Sequence, residues 1–430
     1  MNAPIPCAIV AAALLVGAAT PLAQAPRAVE TFDAAWTEVR DKHFDPTLNG
    51  VDWNAVRDEL RPRAVDAKST NELRGILRDM LGRLGQSHFA VIPGSSGSSS
   101  DPAGSAEPGF DVRLLGRDLL VTGVDPSGAA AAAGVQTGWT VAAIGGRPAA
   151  DLLRSLPDGA SDQILGFEAW RIAQGRMRGT AGSKIDVEFE DGTGRRVPLA
   201  LERRAEKGQP VTLGKLPTMW VRVEHERHQT PAGATAGLIR FNVWMAAVDP
   251  QVQRAVDEFR EADGMILDLR GNPGGLAAML MGIAGHFVAE RTPLGVMQTR
   301  DNPPLRFTVN PRLVSAAGKP VDVFSGPLAI LVDGMSGSAS ECFAGGMQSI
   351  GRARIFGQTT MGQALPAQFR ELPNGDVLMY AFGDFVTADG TRLEGRGVIP
   401  DETVPLRRDD LLAGRDRTLE AALTWIDGAK

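Results

Sequence analysis

The chain has 430 residues, more than one ordinary hydrophobic core accommodates, so we expect two to four domains. Its 22% charged and 43% apolar residues are typical of a soluble globular protein. A net charge of -6 without any long Lys/Arg run argues against a nucleic-acid partner. The 50 glycines and 28 prolines indicate many turns and loops and argue against a helical bundle.

The first residues have the pattern of a secretory signal. An apolar run at 8–19 is too short to span a bilayer comfortably, and the small-x-small sequence AQA follows at 23–25. We therefore expect residues 1–25 to be a signal peptide and the protein to be exported. Because no Lys or Arg precedes the apolar run, a start codon elsewhere, or an uncleaved segment that stays as a membrane anchor, is the alternative.

Cysteine and histidine usage bears on disulfides and metals. Removal of the signal would leave Cys342 as the single cysteine, so no intrachain disulfide could form. The five histidines form no dense ligand motif. We therefore expect neither a metal nor another cofactor.

Residues 26–92 are predicted to form an N-terminal helical domain, since apolar residues recur there at helical spacing. The sequence STNE at 69–72 is a capping box that starts a third helix. Gly85 supplies a stop for that helix. Ser87 and His88 would therefore lie just after a helix end.

Residues 93–108 are rich in Gly, Ser and Pro, which predicts a flexible linker and a domain boundary. Short β-like runs broken by turns follow as far as residue 204. Within them, GVDPSGAAAAAGVQTGWTVAAIGGRPA at 123–149 resembles a PDZ domain in its order of strand, Ala-rich helix, Ala-Gly-x-x-x-Gly turn and strand. The resemblance implies a PDZ-like domain over residues 109–204, with another small β-barrel as the alternative.

A PDZ domain binds a peptide as an added strand and holds the peptide's carboxylate with loop amides. By resemblance, the matching peptide-binding loop here is Gly109, Phe110, Asp111 and Val112. The implied partners are proteins or peptides, with C-terminal tails as one candidate class.

Residues 205–430 are predicted to form a larger α/β domain. Buried-strand candidates lie at 236–243, 265–269 and 328–332, and helices follow the second and the third. The second of these helices is predicted at about 340–348. A strand, tight turn and helix in succession leave backbone amides pointing outward at the helix N-terminus.

Two stretches of this domain are candidates for parts of an active site. LVDGMSGSASECFAGG at 331–346 places three serines among small residues at a strand-to-helix turn, where amides could stabilise an oxyanion. Taken alone, a Ser-rich N-cap explains it equally well. MILDLRGNPGGL at 265–276 is a strand ending in a Gly-rich turn, but it lacks the spacing and the Lys of a phosphate-binding loop. A turn that aims amides at a reaction centre fits it better.

Four stretches in order, LDLRGNPGG, LVDGMSGSASE, IFGQTTMGQ and LEGRGVIPD, resemble the C-terminal-processing and tricorn-core family of serine peptidases. The N-terminal helices ending in Ser-His and the inserted PDZ-like domain fit the same family, so the resemblance covers nearly the whole mature chain. It implies an α/β fold with a crotonase/ClpP-like peptidase core, an N-terminal helical segment and a PDZ-like β domain. It also implies a bacterial envelope location, in the periplasm.

The family has two catalytic designs. Tail-specific members carry a catalytic Lys in a Thr-x-Gly-Lys stretch, which reads TMGQ at 360–363 here, and glutamine cannot accept a proton at neutral pH. Tricorn-type members use a Ser-His pair, a nucleophilic Ser and a Glu. The residues that match them are Ser87, His88, Ser338 and Glu394.

The resemblance assigns roles to these residues. Ser338 would be the nucleophile of an acyl-enzyme mechanism and His88 its general base. The other serine and the glutamate would orient the imidazole and stabilise its charged form. The amides of Gly275 and Ala339 match the family's oxyanion hole. Activity should fall on acidification toward a histidine pKa of roughly 6.5.

Two other classes of function remain open at this point. A catalytically silent scaffold would bind peptides through its PDZ-like domain, and an acyl-CoA enzyme would use the crotonase-like core. The Ser, His and Glu set favours the peptidase.

The residues around the predicted site are expected to have structural roles: two serines in turns or caps, one buried small thiol, and an acid–base pair that holds a strand end together. These are Ser336, Ser340, Cys342, Asp268 and Arg270.

Overall fold

The computed structural model describes residues 24–94, 105–157, 159–214, 216 and 218–429, without the side chains of 24–26. Residues 1–23 of the predicted signal peptide and 95–104 of the predicted linker lie outside the described residues.

Three helices and a short strand form the N-terminal part of the described chain. They are α1 (Gln24–Lys42), α2 (Trp53–Asp66), α3 (Thr70–Gly82) and β1 (Ala90–Ile92). Ser69 caps α3 by accepting a hydrogen bond from the amide of Glu72, so the cap predicted at this position is confirmed. The apolar faces of the three helices form one buried core.

A β-rich unit follows. Its elements are β2 (Phe110–Leu115), β3 (Asp118–Val124), α4 (Ala129–Ala132), β4 (Thr140–Ile144), β5 (Arg147–Pro148), α5 (Ala149–Leu153), α6 (Asp162–Met177), β6 (Lys184–Glu190) and β7 (Arg196–Glu202). The sheet order is β2-β3-β4-β6-β7, with β5 paired to β4, so β2 is an edge strand. The short strands predicted for this stretch are present. The long helix α6 has no counterpart in the sequence prediction.

The remaining elements build the larger α/β part. They are β8 (Gln209–Val211), β9 (Met219–Val221), β10 (Val223–Gln229), β11 (Thr235–Phe241), α7 (Asp249–Glu258), β12 (Gly264–Asp268), α8 (Met279–Ala284), β13 (Thr292–Thr299), β14 (Leu305–Val309), β15 (Leu328–Val332), α9 (Ala339–Ser349), β16 (Arg354–Gly357), β17 (Ala367–Glu371), β18 (Val377–Ala381), β19 (Gly383–Thr387), β20 (Glu402–Thr403), α10 (Arg408–Leu412) and α11 (Arg417–Gly428).

The central sheet has the order β10-β11-β12-β15-β16-β20 and is parallel apart from β10. Every residue of β12 and β15 is buried, because helices cover both faces. Met265 and Leu267 face one core with α7, α8 and α9, whereas Ile266 faces a second core with α11. The predicted α/β class and the three predicted buried strands are confirmed.

The N-terminal helices are fixed to the larger part through a small sheet. Strand β1 pairs with β18, which in turn pairs with β17. In the turn before β18, Asp376 is 2% exposed and accepts two hydrogen bonds from Arg74 of α3, at 2.9 and 2.6 Å. These contacts fix the position of the segment that connects α3 to β1, and His88 lies in that segment.

The β-rich unit contacts the larger part on two sides. On one side, Thr137 donates to the carbonyl of Leu411 at 2.9 Å, and Arg408 of α10 donates to the carbonyl of Gly138 at 3.0 Å. On the other side, Arg113 of β2 donates to Asp333 at 3.1 Å. Within the described ranges, no helix is long and apolar enough to cross a membrane.

Candidate active site

Ser338 lies at the turn between β15 and α9. It is the N-cap of α9 with φ 51° and ψ -116°, a conformation that residues with side chains rarely adopt. Its amide donates to Glu341 Oε2 at 3.0 Å and to the carbonyl of Gln363 at 2.9 Å. Ala339 is the first residue of the helix, so its amide has no partner within the helix. The turn therefore presents a half-buried hydroxyl beside an available N–H.

The Gly-rich turn after β12 reaches the same point. A Cβ on Gly274 would lie 2.6 Å from Ser338 Cβ and 2.9 Å from the Ala339 nitrogen. A Cβ on Gly275 would lie 2.4 Å from the carbonyl oxygen of Trp244. Since both glycines also have positive φ, at +103° and +141°, no side chain is tolerated at either position. The predicted oxyanion-hole residues therefore lie on two segments that meet at the nucleophile turn.

Ser87 and His88 follow α3. The buried ring of His43 lies 2.8 Å from Gln86 Oε1, and it stacks on Phe89 with ring centroids 5.5 Å apart. These two contacts hold the segment on either side of Ser87 and His88. The backbone of His88 has φ 62°. His88 and Ser338 are two of the four non-glycine residues with positive φ among those described, so both partners of the Nε2–Oγ contact have a strained backbone.

A chain of hydrogen bonds joins the four residues predicted for catalysis. His88 Nε2 lies 3.2 Å from Ser338 Oγ, and His88 Nδ1 lies 2.7 Å from Ser87 Oγ. Ser87 Oγ in turn lies 2.8 Å from Glu394 Oε2. The Glu394 carboxylate also accepts from the amides of Ser87 and Ala364, each at 2.9 Å. The structure thus brings together residues from three distant parts of the sequence.

The position of each proton in this chain follows from the carboxylate. A carboxylate can only accept, so the Ser87 hydroxyl donates to Glu394 and its oxygen accepts from His88 Nδ1–H. The lone pair of His88 Nε2 then faces the Ser338 hydroxyl. This tautomer is the one that a general base requires.

The surroundings of His88 also affect its charge. Burial lowers the pKa of His88 from 6.5 to about 4, because the imidazolium is poorly solvated there. The base form is present above that pKa and is lost as the pH falls through it. The loss of activity that the sequence places near pH 6.5 is therefore expected at lower pH.

We expect the imidazole of His88 to titrate near pH 4 when followed by NMR in the Ser338→Ala variant. Comparison with His88→Asn assigns the resonance, which matters because burial also lowers the pKa of His286 to about 4. A midpoint near 6.5 would show that the ring is solvated like a free histidine, in contradiction to the burial argument.

Glu341 is a part of the site that the sequence analysis did not identify. Its side chain is fully buried and accepts four hydrogen bonds, from the amides of Ser338, Gly362 and Gln363 and from the Thr360 hydroxyl. Burial raises the pKa of Glu341 to about 7, and these four donors oppose the rise. The carboxylate thereby ties the nucleophile turn to the segment at 360–363.

A sequence signal for Glu341 did exist. Ser338 and Glu341 have the Ser-x-x-Glu spacing of a capping box, the same spacing that predicts the start of α3. The contact between His43 and Gln86 had no comparable signal, because 43 residues separate the two side chains in the sequence.

The neighbouring serines have structural contacts, as predicted. The buried Ser336 hydroxyl donates to the carbonyl of Leu269 at 2.8 Å. The buried Ser340 hydroxyl donates to the carbonyl of Asn272 at 3.0 Å. Cys342 is 5% exposed in α9, which confirms its prediction as a buried small residue.

Asp268 and Arg270 hold the end of β12 in place, as predicted. Arg270 donates to Asp268 at 2.7 Å and to Asp416, just before α11, at 2.8 Å. Arg240 of the neighbouring strand pairs with Asp268 at 2.5 Å. Asp268 is 1% exposed, and these arginines lower its pKa to about 2 although burial alone would raise it.

The predicted peptide-binding loop lies at the start of β2, and none of its four residues takes part in the hydrogen-bond chain. Gly109 has φ +85°, and a Cβ there would lie 2.8 Å from Gly128 Cα. Phe110 and Val112 are buried, so their side chains belong to the core of the β-rich unit. The side chain of Asp111 is 40% exposed.

Two segments of the chain match known protein families. Residues 235–404 match peptidase family S41, and residues 28–82 match the tricorn protease C1 domain. The chain thus contains peptidase S41 and tricorn C1 domains. It is a serine-type hydrolase, which argues against the acyl-CoA alternative.

Relatives of both predicted branches are found. The chain is 26% identical to a carboxyl-terminal-processing protease of Picosynechococcus sp. over 384 residues, which is 86% of this chain and 82% of the relative. It is 24% identical to tricorn protease homolog 1 of Streptomyces coelicolor over 92% of this chain and 34% of that longer protein. The structure of the photosystem II D1 C-terminal processing protease shares the fold, with TM-score 0.58, 21% identity and coverage of 92% and 99%.

Proposed function

We propose that this S41 peptidase is an exported endopeptidase or processing peptidase that cleaves peptide bonds through an acyl-enzyme on Ser338. The observation that carries the proposal is the chain of hydrogen bonds from Glu394 through Ser87 and His88 to Ser338. The Nδ1–H tautomer of His88 leaves Nε2 free to accept the proton of the nucleophile. The absence of a lysine at Gln363 supports the same choice of base.

The proposed first step is acylation. Ser338 Oγ attacks the carbonyl carbon of the scissile bond while its proton moves to His88 Nε2. The carbonyl oxygen becomes an oxyanion, and the amides of Ala339 and Gly275 donate to it. His88 then protonates the leaving amine nitrogen as the C–N bond breaks. The first product leaves as an amine, and the second remains as an ester on Ser338.

Deacylation repeats the same proton movements with water. His88 takes a proton from a water molecule that attacks the ester carbonyl, and it returns a proton to Ser338 Oγ as the ester bond breaks. In both steps the imidazole is transiently charged. The Glu394 carboxylate stabilises that charge through the Ser87 hydroxyl, in a half-buried environment where electrostatic interactions are stronger than in water.

Removal of the bridging hydroxyl tests this relay. We expect Ser87→Ala to lower kcat by about 10²-fold with little change in KM, because His88 Nδ1–H loses its acceptor and the Nδ1–H tautomer is no longer favoured. Ser87→Thr, which keeps a hydroxyl, should retain most of the activity. Steady-state kinetics on one peptide substrate measures both variants. Wild-type kcat in Ser87→Ala would exclude the relay.

The substrates we propose are unfolded proteins and peptides, with C-terminal tails as one candidate class. The competing function is a catalytically silent scaffold that binds peptides through a PDZ-like domain at residues 109–204. β-Casein distinguishes the two, because it is unfolded and its fragments are identified by mass spectrometry. Internal cleavage by the purified chain is the expected result. Intact β-casein after prolonged incubation at pH 7 would favour the scaffold.

Export rests on the signal-like pattern of residues 1–25. We propose removal of this segment and a periplasmic location. The N-terminal sequence of the protein purified from its native host tests this, and the expected first residue is Pro26. A native protein that retains residues 1–25 and fractionates with membranes would indicate an anchor.

A further inference from the structure

The β-rich unit has an open edge that could receive a peptide. Strand β2 is the edge strand of its sheet, and α6 packs beside it. We call the space between them the β2–α6 groove. In PDZ domains a peptide strand adds to such an edge, and backbone amides at the start of the strand capture its C-terminal carboxylate. The corresponding position here is the loop at 109–112.

A carboxylate of the protein itself occupies this position. Asp111 Oδ1 accepts from the amide of Val112 at 2.9 Å and from Trp170 Nε1 of α6 at 2.9 Å, with Gln174 Nε2 of α6 at 3.5 Å. Asp111 Oδ2 accepts from Arg113 at 2.6 Å. Donors from β2 and from the facing helix α6 therefore converge on one side chain.

The charges around the loop do not favour a second anion. Arg113 is the cation nearest to Asp111, and it is shared with Asp333 of the nucleophile turn at 3.1 Å. The three side chains together carry one net negative charge. A peptide carboxylate placed here would meet an amide that is already bonded and a carboxylate of like charge. Because Asp111 is 40% exposed, solvent partly screens this repulsion.

We propose that Asp111 fills the carboxylate site of the β2–α6 groove, so that the groove takes internal segments of unfolded proteins and not free C-terminal tails. The inference rests on the proposed peptidase function and specifies its substrate class. An internal segment has no terminal charge, so it avoids the repulsion from Asp111, and it can add to β2 beyond Val112, whose amide and carbonyl are bonded to Asp111 and Arg113. Selection would then depend on an unfolded stretch of chain and not on a chain end.

Matched peptides that differ only at the terminus test this. The probe is the C-terminal 15-residue segment of β-casein, synthesised as the free acid and as the amide and labelled at its N-terminus. Binding to the full chain carrying Ser338→Ala is followed by fluorescence anisotropy, so no cleavage is needed. The readout is the ratio of the two dissociation constants.

With Asp111 intact, we expect the amide to bind as tightly as the acid or up to about threefold more tightly. Asp111→Gly frees the Val112 amide and Arg113, and we expect it to shift the ratio toward the acid by about tenfold. Asp111→Asn removes the charge but keeps the hydrogen-bonding shape, so a smaller shift in the same direction is expected. Asp186→Asn, an exposed change on β6 of the same sheet, is the matched control and should leave the ratio unchanged.

Three results would overturn the proposal. The acid binds about tenfold more tightly than the amide while Asp111 is present. The ratio does not respond to Asp111→Gly or to Asp111→Asn. Neither peptide binds, in which case the groove is no docking site. Failure of the proposed peptidase function appears separately, as intact β-casein with the wild-type chain, and leaves the binding ratio measurable.

Discussion

Replacement of Ser338 by alanine is expected to lower kcat for β-casein cleavage by about 10⁴-fold or more, with KM nearly unchanged. The reason is geometric, since Ser338 Oγ lies 3.2 Å from the free lone pair of His88 Nε2. Alanine removes the atom that forms the acyl-enzyme but leaves the positive-φ turn and its amide contacts to Glu341 and Gln363 in place. Steady-state kinetics with mass spectrometry of the fragments measures the effect.

Ser336→Ala is the matched control for this result. Its hydroxyl is buried in the same turn and donates to the carbonyl of Leu269, so its loss should cost about 1–2 kcal/mol of stability. Cleavage by the folded control should stay within about tenfold of wild type. If Ser338→Ala cleaved β-casein as fast as the wild-type chain, Ser338 would not be the nucleophile.

His88→Asn is expected to lower kcat by about 10⁴-fold, because an amide cannot take the proton of Ser338. Asparagine is chosen because the backbone of His88 has φ 62°, a region that Asn tolerates better than most residues. The replacement therefore tests the base without unfolding the loop. Circular dichroism and the thermal midpoint should show a fold close to wild type.

The effects of the two residues should not add. Ser338 and His88 act as one unit, so the double variant should lose no more activity than the worse of the single variants. Losses that multiply would mean that His88 contributes independently of Ser338. That outcome would separate the imidazole from the nucleophile and contradict the proton transfer described here.

Local patterns in the sequence predicted many elements of the fold. The strand at 328–332 is a continuous apolar run, the one at 265–269 is interrupted only by Asp268, and the structure buries the corresponding strands on both faces. The cap at Ser69 and the start of α9 follow from short-range chemistry around a few backbone amides. Such features depend on neighbours in the sequence, so they can be read without knowledge of the fold.

The helix α6 could not be predicted from local sequence patterns. Its buried residues are Ala169, Ala173, Gln174 and Met177, and three of them are small or polar. No continuous apolar stripe distinguishes them from the exposed positions around them, so the periodicity that predicts helices elsewhere was absent. Only the packing of α6 against β2 shows which face is buried.

The residues of the candidate site were predicted from the family resemblance and not from local sequence patterns. His88 and Ser338 are 250 residues apart, and the family resemblance, not any local pattern, predicted that they act together. The roles of His43, Gln86 and Glu341 arise only when distant segments meet. The low pKa of His88 is equally a tertiary property, because it comes from desolvation by the surrounding residues.

The most direct test of the central claim is the reaction of the purified chain with diisopropyl fluorophosphate, followed by peptide mass spectrometry. The account predicts one adduct on Ser338, none in Ser338→Ala, and labelling slowed by about 10³-fold in His88→Asn. An adduct on a different serine, or labelling of Ser338 at the same rate without His88, would contradict the nucleophile and base proposed here.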